Sequence, residues 1–275
     1  MCNLLDINPT NYYSYQKRNR LNKPDLERES MLNWVKKIAE SSQYGYGSRR
    51  MRKALNALGY PVGRDKTKTL MKEAHILVRY RKKYKATTNS KHKQPIFENV
   101  LNREFKINSP DRAYVSDITY VWTQEGWLYL AVVLDLFSRK VVGWSMSSRM
   151  KASLICDALT MALWQRKPKP GLLVHSDRGV QYASHVYREL LRQHQCIRSM
   201  SRKGNCWDNA VAESFFGSLK QERVQWKYYQ TRSEAQQDIL NYISMFYNSQ
   251  RLHSFLGYVS PNVFEKRNIM LQKIA

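Results

Sequence analysis

Three acidic residues in the second half of the chain have surroundings that suit metal-dependent chemistry on phosphates. Asp117 lies inside an apolar, strand-like run, where a carboxylate is costly to bury unless a cation accompanies it. Asp177 ends a second apolar run, and open α/β sheets bind ligands beyond the carboxyl ends of such strands. Glu213 lies in a helical stretch whose apolar face turns inward, so that helix can present its carboxylate to the sheet.

Acids from two strands and one helix form an all-oxygen ligand set, which is the kind that Mg²⁺ and Mn²⁺ prefer. Two such ions about 3.5–4 Å apart can hold the attacking and the leaving oxygen of a phosphoryl transfer. Each acid alone is more often a turn residue, a cap or a surface charge, so the prediction depends on the three together. We predict that Asp117, Asp177 and Glu213 are catalytic and bind two divalent metal ions.

Five further polar residues near these acids have alternative explanations. Asp135 also ends a predicted strand and is the main rival metal ligand, but its place in Leu-Asp-Leu-Phe-Ser-Arg favours a structural turn. His175 and His253 are left out of the catalytic set, because a metal ion can activate water without a histidine base. Asp208 and Asn209 precede the helix of Glu213, where capping or loop ordering explains them better than catalysis does.

The elements that must position the acids are predicted over residues 111–275. Three strands separated by short turns imply antiparallel hairpins, and the alternating helices and strands that follow give an α/β ribonuclease-H-like core with a mixed five-stranded sheet and flanking helices. The predicted strands are Ala113–Val121, Trp127–Leu134, Lys140–Met146, Gly171–His175 and Cys196–Met200, and the predicted helices are Ala152–Trp164, Ser184–His194, about Asn209–Arg223 and Ser233–Ser249.

Residues 1–78 are predicted to form a small all-α module. A helix over Leu26–Glu40 precedes a second helix capped by Ser48, with Met51, Leu55 and Leu58 as its apolar stripe, and a glycine-containing turn leads to a third helix over Arg64–Ala74. This order is the outline of a helix-turn-helix DNA-binding module, although a helical bundle with a solvated basic face has the same outline. The candidate DNA contacts on the last helix are Arg64, Lys66, Lys68 and Lys72.

Residues 79–110 are predicted to be a basic linker, because the tract from Arg79 to Lys93 loses its apolar periodicity.

The net charge of the whole chain indicates the class of its partner. There are 46 Lys and Arg against 22 Asp and Glu, a net charge of +24, and such a field attracts polyanions. Nucleic acid is therefore the expected partner. The part up to Arg112 carries +15 of the net charge, so it is the more basic part of the chain.

Several classes of protein are disfavoured by what the sequence lacks. No apolar run has the roughly 18–20 residues of a membrane span, and no secretory signal opens the chain, so a cytoplasmic protein without a membrane role is expected. The four cysteines have no paired spacing and the six histidines form no matching cluster, so neither a zinc site nor a disulfide framework is predicted.

The spacing of the acids and three sequence motifs resemble one family. Thirty-five residues separate Asp177 from Glu213, which is similar to the D,D(35)E pattern of transposases and retroviral-type integrases. The strings at residues 175–182 (HSDRGVQY), 201–210 (SRKGNCWDNA) and 247–253 (YNSQRLH) closely resemble the OrfB transposases of the IS-three insertion-sequence family. With the basic helical front end, the resemblance covers nearly the whole chain.

This resemblance implies a transposase that cuts the inverted-repeat ends of a mobile element and joins them to target DNA, with Mg²⁺ or Mn²⁺ as cofactor. It implies DNA contacts for Lys220, seven residues after Glu213 on the same helix face, and for Arg251 in the third motif. The expected partners are element ends, target DNA and further copies of the chain on DNA. A companion OrfA protein, or a fused OrfAB form, is a further possible partner.

The sequence leaves two rival functions open. One is another nuclease on the same fold, such as a ribonuclease H or a junction resolvase, which the helical front end disfavours. The other is a DNA-binding protein that has lost catalysis, which the presence of all three acids disfavours. The chain departs from relatives by lacking the amino-terminal His-His-Cys-Cys module of retroviral integrases, and it has no leucine-zipper run of the kind found in OrfA.

Overall fold

A computed structural model describes residues 8–21, 25–80 and 95–274. The chain divides into two compact units, Met1–Val78 and Arg79–Ala275. None of the helices in the described ranges has both the length and the apolar character needed to cross a membrane.

The first unit is helical. Apolar side chains of the second, third and fourth helices form its core, and the most deeply buried include Met31, Val35, Met51, Leu55 and Leu70. The four helices are α1 (Pro9–Leu21), α2 (Leu26–Ser41), α3 (Ser48–Ala57) and α4 (Arg64–Glu73).

Three details of this unit differ from the sequence prediction. The helix α1 was not predicted, because its residues carry no apolar stripe. Ser48 does not cap α3, since it is the first helical residue and Gly47 takes the cap position without a side-chain bond. Leu58 is 44% exposed because α3 ends before it, and the following turn requires the positive φ of Gly59 (+90°).

The second unit contains the predicted mixed five-stranded sheet. Its order is β3-β2-β1-β4-β5, in which the β1–β2 and β2–β3 pairs are antiparallel and the β1–β4 and β4–β5 pairs are parallel. This arrangement confirms the ribonuclease-H-like fold. The strands are β1 (Ala113–Thr123), β2 (Gly126–Asp135), β3 (Val141–Ser147), β4 (Leu173–Ser176) and β5 (Ile197–Met200).

Helices cover both faces of the sheet, because alternate residues of its strands point to opposite sides. On β2, Leu130 and Val132 join a core with the helices that follow β5, whereas Ala131 and Val133 join a second core with the helices that follow β3 and β4. The helices are α5 (Ala152–Arg166), α6 (His185–Gln193), α7 (Ala210–Glu222), α8 (Arg232–Asn241) and α9 (Pro261–Ile274), and a π-helical turn over Tyr242–Tyr247 extends α8.

The first of these helices packs unusually closely against the sheet. A Cβ on Gly143 of β3 would lie 2.1 Å from the carbonyl oxygen of Ala158 in α5. A glycine is therefore required where the two backbones meet.

Only part of the predicted linker lies within the described residues. Its basic centre, residues 81–94, lies outside the described residues. From residue 95 onward the chain packs against the second unit: Leu101 is 2% exposed in the core, Phe105 and Ile107 lie against the same core, and Arg139 donates a 2.6 Å hydrogen bond to the Phe105 carbonyl. Residues 95–110 therefore belong to the sheet-containing unit.

Candidate active site

Two of the predicted acids occupy adjacent positions on neighbouring parallel strands. The last pair between β1 and β4 joins Ser116 to Ser176. The residue after Ser116 is Asp117, inside β1, and the residue after Ser176 is Asp177, just past the end of β4. Neighbouring strands lie about 4.8 Å apart, so the two carboxylates start from adjacent backbone positions. Because β4 ends at Ser176, its pairing with β1 stops one residue before Asp117.

The electrostatics of Asp117 connect it with the other predicted site residues. Burial in the sheet raises its pKa well above the usual range, and the charges of Asp177 and Glu213 raise it further. The Ile118 backbone N–H, which donates to the Asp117 carboxylate at 2.8 Å, and the charge of Lys220 act in the opposite direction. The charges of Asp177, Glu213 and Lys220 therefore all act on the Asp117 carboxylate.

The position of Asp177 is fixed by a tight turn after β4. The Gly179 backbone N–H donates to the Asp177 carboxylate at 2.9 Å. A Cβ at residue 179 would lie 3.0 Å from that same oxygen, so a side chain there would crowd the carboxylate. The glycine thus permits the turn that holds Asp177 at the end of the strand.

The helix α7 presents Glu213 and Lys220 from one face. Its buried side chains include Phe215, Phe216 and Leu219, which fix the helix against the sheet. Glu213 is in the first turn, and Lys220 follows seven residues later, about 10 Å along the helix axis. The Lys220 ammonium lies 5.0 Å from the centre of the Tyr120 ring, so it reaches β1 just beyond Asp117.

The chemistry of these acids fits a hard divalent cation. Their oxygen donors are of the preferred type, and their mutual repulsion, seen in the raised pKa of Asp117, is what a cation would relieve. Among the described residues, however, no three His, Cys, Asp or Glu side chains are arranged as a ready metal-binding cluster. The site therefore has the donor set for a metal, and its side chains would have to draw together to hold one.

Asp208 orders a loop, as the sequence suggested, but it does so through partners that the sequence did not indicate. Its buried carboxylate accepts hydrogen bonds from Arg103 Nε at 2.8 Å, Arg202 Nη2 at 3.0 Å and Asn99 Nδ2 at 2.9 Å. The hydrogen bonds from Arg202, followed by that from Arg103, hold the pKa of Asp208 well below the usual range. Asp208 orders the loop before α7 and ties it to residues 95–110. It does not cap α7, and Asn209, at the cap position, makes no side-chain capping bond.

His175 is a structural residue beside Asp177. Its ring is buried between β4 and β5, with Nδ1 2.8 Å from Ser199 Oγ and Nε2 3.1 Å from Ser201 Oγ. Burial lowers the pKa of His175 to about 4, so the ring is neutral near pH 7. His253 pairs with Val259 through its backbone in an isolated bridge.

Asp135 belongs to a different cluster from the three acids. It lies three residues from Val132, the partner of Asp117, so the alternation of β2 sends its side chain to the opposite face. Its carboxylate accepts hydrogen bonds from the Phe137 N–H and the Ser138 hydroxyl, and burial raises its pKa to about 7. These contacts agree with the interpretation of Asp135 as a turn residue.

The structure contradicts the expectation for Arg251. This residue is 3% exposed, and its guanidinium forms a two-pronged ion pair with Glu222 of α7 at 2.7–3.0 Å and donates to Ser218 Oγ at 2.9 Å. Tyr242 donates a 2.7 Å hydrogen bond to the same carboxylate. Because these buried groups occupy its donors, Arg251 fastens the C-terminal segment to α7 and is not presented to DNA.

The candidate DNA contacts of the first unit lie on the solvent side of α4. Thr67, Leu70 and Met71 turn inward, which leaves the other face of the helix exposed. Lys68 forms an exposed ion pair with Asp65 at 3.0 Å. All four predicted basic residues, Arg64, Lys66, Lys68 and Lys72, are exposed.

Comparison with known protein families agrees with this architecture. Residues 108–206 match the family described as integrase core domain, and residues 213–269 match a second family of the same description. Residues 25–84 match a helix-turn-helix-like domain. Fold and family matches together define an integrase-core protein that carries a helix-turn-helix-like module in its N-terminal part.

Close relatives identify the family within this class. The chain is 40% identical over 270 residues to "Transposase InsF for insertion sequence IS3A" of Escherichia coli K12, covering 98% of this chain and 94% of the relative. It is also 40% identical over 267 residues to an uncharacterized 31 kDa protein of insertion element IS600 from Shigella sonnei, covering 97% and 98%. The chain belongs to the IS3 family of insertion-sequence transposases.

Solved structures with similar folds are more distant. A simian T-cell lymphotropic virus intasome bound to a PP2A regulatory subunit is 14% identical with a TM-score of 0.49, covering 78% of this chain and 70% of that chain. The HTLV-2 integrase catalytic core domain in complex with magnesium is 14% identical with a TM-score of 0.44, covering 57% and 97%.

Proposed function

We propose that this transposase cuts the ends of its insertion sequence and joins them to target DNA, with Asp117, Asp177 and Glu213 as the catalytic acids. The observation that carries the proposal is the position of the two aspartates, one residue beyond the last pair of two parallel strands. The mutual effect of the three acids on the pKa of Asp117 supports a common site. Lys220 adds a cation beside that site, as a phosphate-binding group should.

The roles of the chain's own residues follow from their positions. The three acids would hold two divalent ions, Mg²⁺ or Mn²⁺. Such ions, when bound, activate the attacking oxygen and stabilise the leaving oxygen of a phosphoryl transfer. The β1–β4 pair and the Gly179 turn hold the two aspartates, and α7 holds Glu213. Lys220 orients a DNA phosphate next to the acids.

The proposed substrate is the inverted-repeat DNA at each end of the element. The exposed residues of α4, Arg64, Lys66, Lys68 and Lys72, would contact its base edges and phosphates. The two ends and the target DNA must meet in one complex, so we include further copies of the chain as partners, and the companion OrfA protein or an OrfAB fusion as a possible addition. The place of action would be the DNA of the bacterial cytoplasm.

Incubation of the protein with labelled DNA carrying its own element's end tests this function. With Mg²⁺ or Mn²⁺ we expect strand cleavage at the element boundary and joined products with target DNA, and with EDTA we expect neither. OrfA protein is added in a parallel series. Preferred cleavage of the RNA strand of an RNA–DNA hybrid, or of a four-way junction, would support another nuclease. End binding without cleavage in every series would support a DNA-binding protein without catalysis.

A further inference from the structure

Three aromatic side chains form a contiguous row on one face of the β1–β2 hairpin. Tyr120 and Trp127 contact edge to face with ring centres 5.0 Å apart, and Trp127 and Trp122 do so at 4.7 Å. Trp122 is 52% exposed and Trp127 is 43% exposed, whereas Val121 and Leu128 on the other face of the hairpin are buried. We call Tyr120, Trp127 and Trp122 the aromatic row.

The aromatic row begins beside the candidate active site. Tyr120 lies three residues after Asp117 on the same strand, and the Lys220 ammonium lies 5.0 Å from its ring centre. From there the row continues through Trp127 to Trp122, towards the tip of the hairpin. Tyr120 and Asp117 are an odd number of residues apart, so their side chains leave opposite faces of β1. Lys220, which acts on both, connects the row with the acids at the edge of the strand.

The hairpin that carries the row is fixed. The Arg232 backbone N–H donates to the Glu125 carboxylate at 2.8 Å, and its guanidinium donates to the Trp127 carbonyl at 3.1 Å. The Gln124 N–H donates to the Tyr229 carbonyl at 3.1 Å. Because the start of α8 holds the hairpin in this way, its exposed rings are already positioned, and a ligand that stacks on them would have little loop motion to arrest.

The chemistry of the row fits nucleobases better than an apolar protein surface. Every base has a π face that stacks on exposed aromatic rings, and cations alongside bind the connecting phosphates. The row has such a cation, Lys220, at its inner end, and the Arg232 side chain lies against its Trp127 backbone. Inside a paired duplex the base faces are covered by neighbouring base pairs, whereas unpaired nucleotides present theirs.

We propose that the aromatic row binds unpaired nucleotides of the element end, next to the phosphate that is cut. The row would hold the end open, and opening of the duplex would bring the strand to the three acids. This inference rests on the proposed function, because it takes the DNA end as the ligand. It adds Trp122 and Trp127 as binding residues for the bases and Tyr120 as the ring between them and Lys220.

The test measures binding without cleavage. Two DNAs carry the same element end, one fully paired and one with mismatched terminal nucleotides, and 2-aminopurine at an unpaired position reports stacking by its loss of fluorescence. With EDTA present, we expect the wild-type protein to prefer the mismatched end and to quench the 2-aminopurine. Trp122→Ala and Trp127→Ala should reduce the affinity for the mismatched end on the order of tenfold and reduce the quenching, and should leave the affinity for the paired end nearly unchanged.

Trp164→Ala is the matched control, because Trp164 is 74% exposed on α5 and lies outside the aromatic row. It should keep the wild-type preference and quenching. Trp122→Phe retains an aromatic ring and should recover most of the preference that Trp122→Ala loses. Thermal unfolding of each variant checks that the hairpin still folds.

Three results would overturn the inference. The first is an unchanged preference for the mismatched end in both alanine variants, and the second is an equal effect of Trp164→Ala. The third is a change in the mass of the protein by light scattering in Trp122→Ala without a change in preference, which would make the row a contact between copies of the chain. Since the assay needs no metal and no cleavage, loss of the stacking preference is distinguishable from failure of the proposed catalytic function.

Discussion

Lys220 is the basic residue whose position says most about the candidate site. Its charge acts on Asp117 while its ammonium lies over Tyr120, so one side chain connects the acids with the neighbouring surface of β1. A lysine binds phosphate as a compact, flexible point charge, and it does not impose the planar fork of an arginine. The charge at this position should therefore matter more than its shape.

Lys220→Ala should weaken binding of end DNA and lower the slope of log affinity against log salt by about 0.9, the share of one phosphate contact. Lys220→Arg should be tolerated better. Filter-binding titrations at several salt concentrations measure both quantities, with Lys169→Ala as control, since Lys169 is exposed and lies before β4. An unchanged affinity, salt slope and cleavage rate in Lys220→Ala would make this residue an ordinary surface lysine.

Asp135 gives a pH-dependent prediction away from the active site. Burial raises its pKa to about 7 in the folded protein, against about 3.9 for an unfolded aspartate. A group with a raised folded pKa favours folding while it is protonated, so its contribution is present below about pH 4 and is lost as the pH rises towards 7. Above that pH the contribution is constant.

The free energy of unfolding of the wild type should therefore fall relative to that of Asp135→Asn between about pH 4 and pH 7 and then level off. Urea unfolding of both proteins at five pH values measures the difference. Cleavage should persist in the variant, because Asp135 leaves the opposite face of β2 from the site. A difference independent of pH would contradict the raised pKa, and loss of metal-dependent cleavage in a folded variant would restore Asp135 as a rival metal ligand.

At the scale of the elements, the buried pair of Arg251 and Glu222 holds α7 to the segment after α8. Both residues are 3% exposed, so removal of one partner leaves a buried charge without its counterion. Arg251→Met or Glu222→Leu should each lower the free energy of unfolding by about 3–5 kcal/mol. Arg251→Met combined with Glu222→Leu should cost less than Arg251→Met alone, because it removes both charges.

Chemical denaturation of the two single variants and the double variant measures these costs. Additive losses in the double variant, or single losses under about 1 kcal/mol, would contradict a tight buried pair. The same variants also affect the candidate active site, because the helix α7 that they loosen carries Glu213 and Lys220.

Sequence periodicity predicted the strands and the helices α5 to α8 to within a few residues, since each has a clear apolar pattern. It did not predict α1, which has no apolar stripe, or α9. It also failed where a residue's partner is distant along the chain. The carboxylate of Asp208 meets Arg103, 105 residues earlier, and nothing local to either residue indicates that contact.

Arg251 shows that a sequence motif does not determine what a side chain contacts. An arginine in a basic, DNA-binding protein favours a phosphate contact, and only the fold reveals a buried carboxylate 29 residues away. Asp117 and Asp177 each have a local signal. Asp117 lies inside an apolar strand, where a carboxylate is costly to bury, and Asp177 directly follows the end of a strand. Their spacing to Glu213 added a family pattern that pointed to the same three residues.

At the scale of the whole molecule, the proposed function divides the contacts with DNA between the two units. The net charge of +24 attracts any DNA, whereas selective recognition is assigned to the exposed face of α4. Lys66→Ala with Lys72→Ala should lower the preference for the element's own end over random DNA, by roughly five- to a hundredfold for each base that the variant no longer reads. Removal of residues 1–78 should abolish that preference and leave salt-sensitive, non-specific binding.

Lys36→Ala with Lys37→Ala is the matched control for charge, since both lysines are exposed on α2. It should weaken binding to all DNA alike and keep the preference. Competition binding with labelled end DNA and random DNA measures the ratio. If the protein lacking residues 1–78 kept the wild-type ratio, the assignment of recognition to the helical unit would be wrong.

The most direct measurement compares cleavage and binding of end DNA for Asp117→Asn, Asp177→Asn and Glu213→Gln with those of the wild type in Mg²⁺. Each variant removes a charge of the proposed metal site and leaves the basic surface, so cleavage and joining should be abolished while end binding stays close to native. Asp157→Asn, an exposed acid on α5, is the control and should cleave normally. Near-native cleavage by any one of the three variants would contradict the catalytic assignment of that residue and, with it, the proposed site.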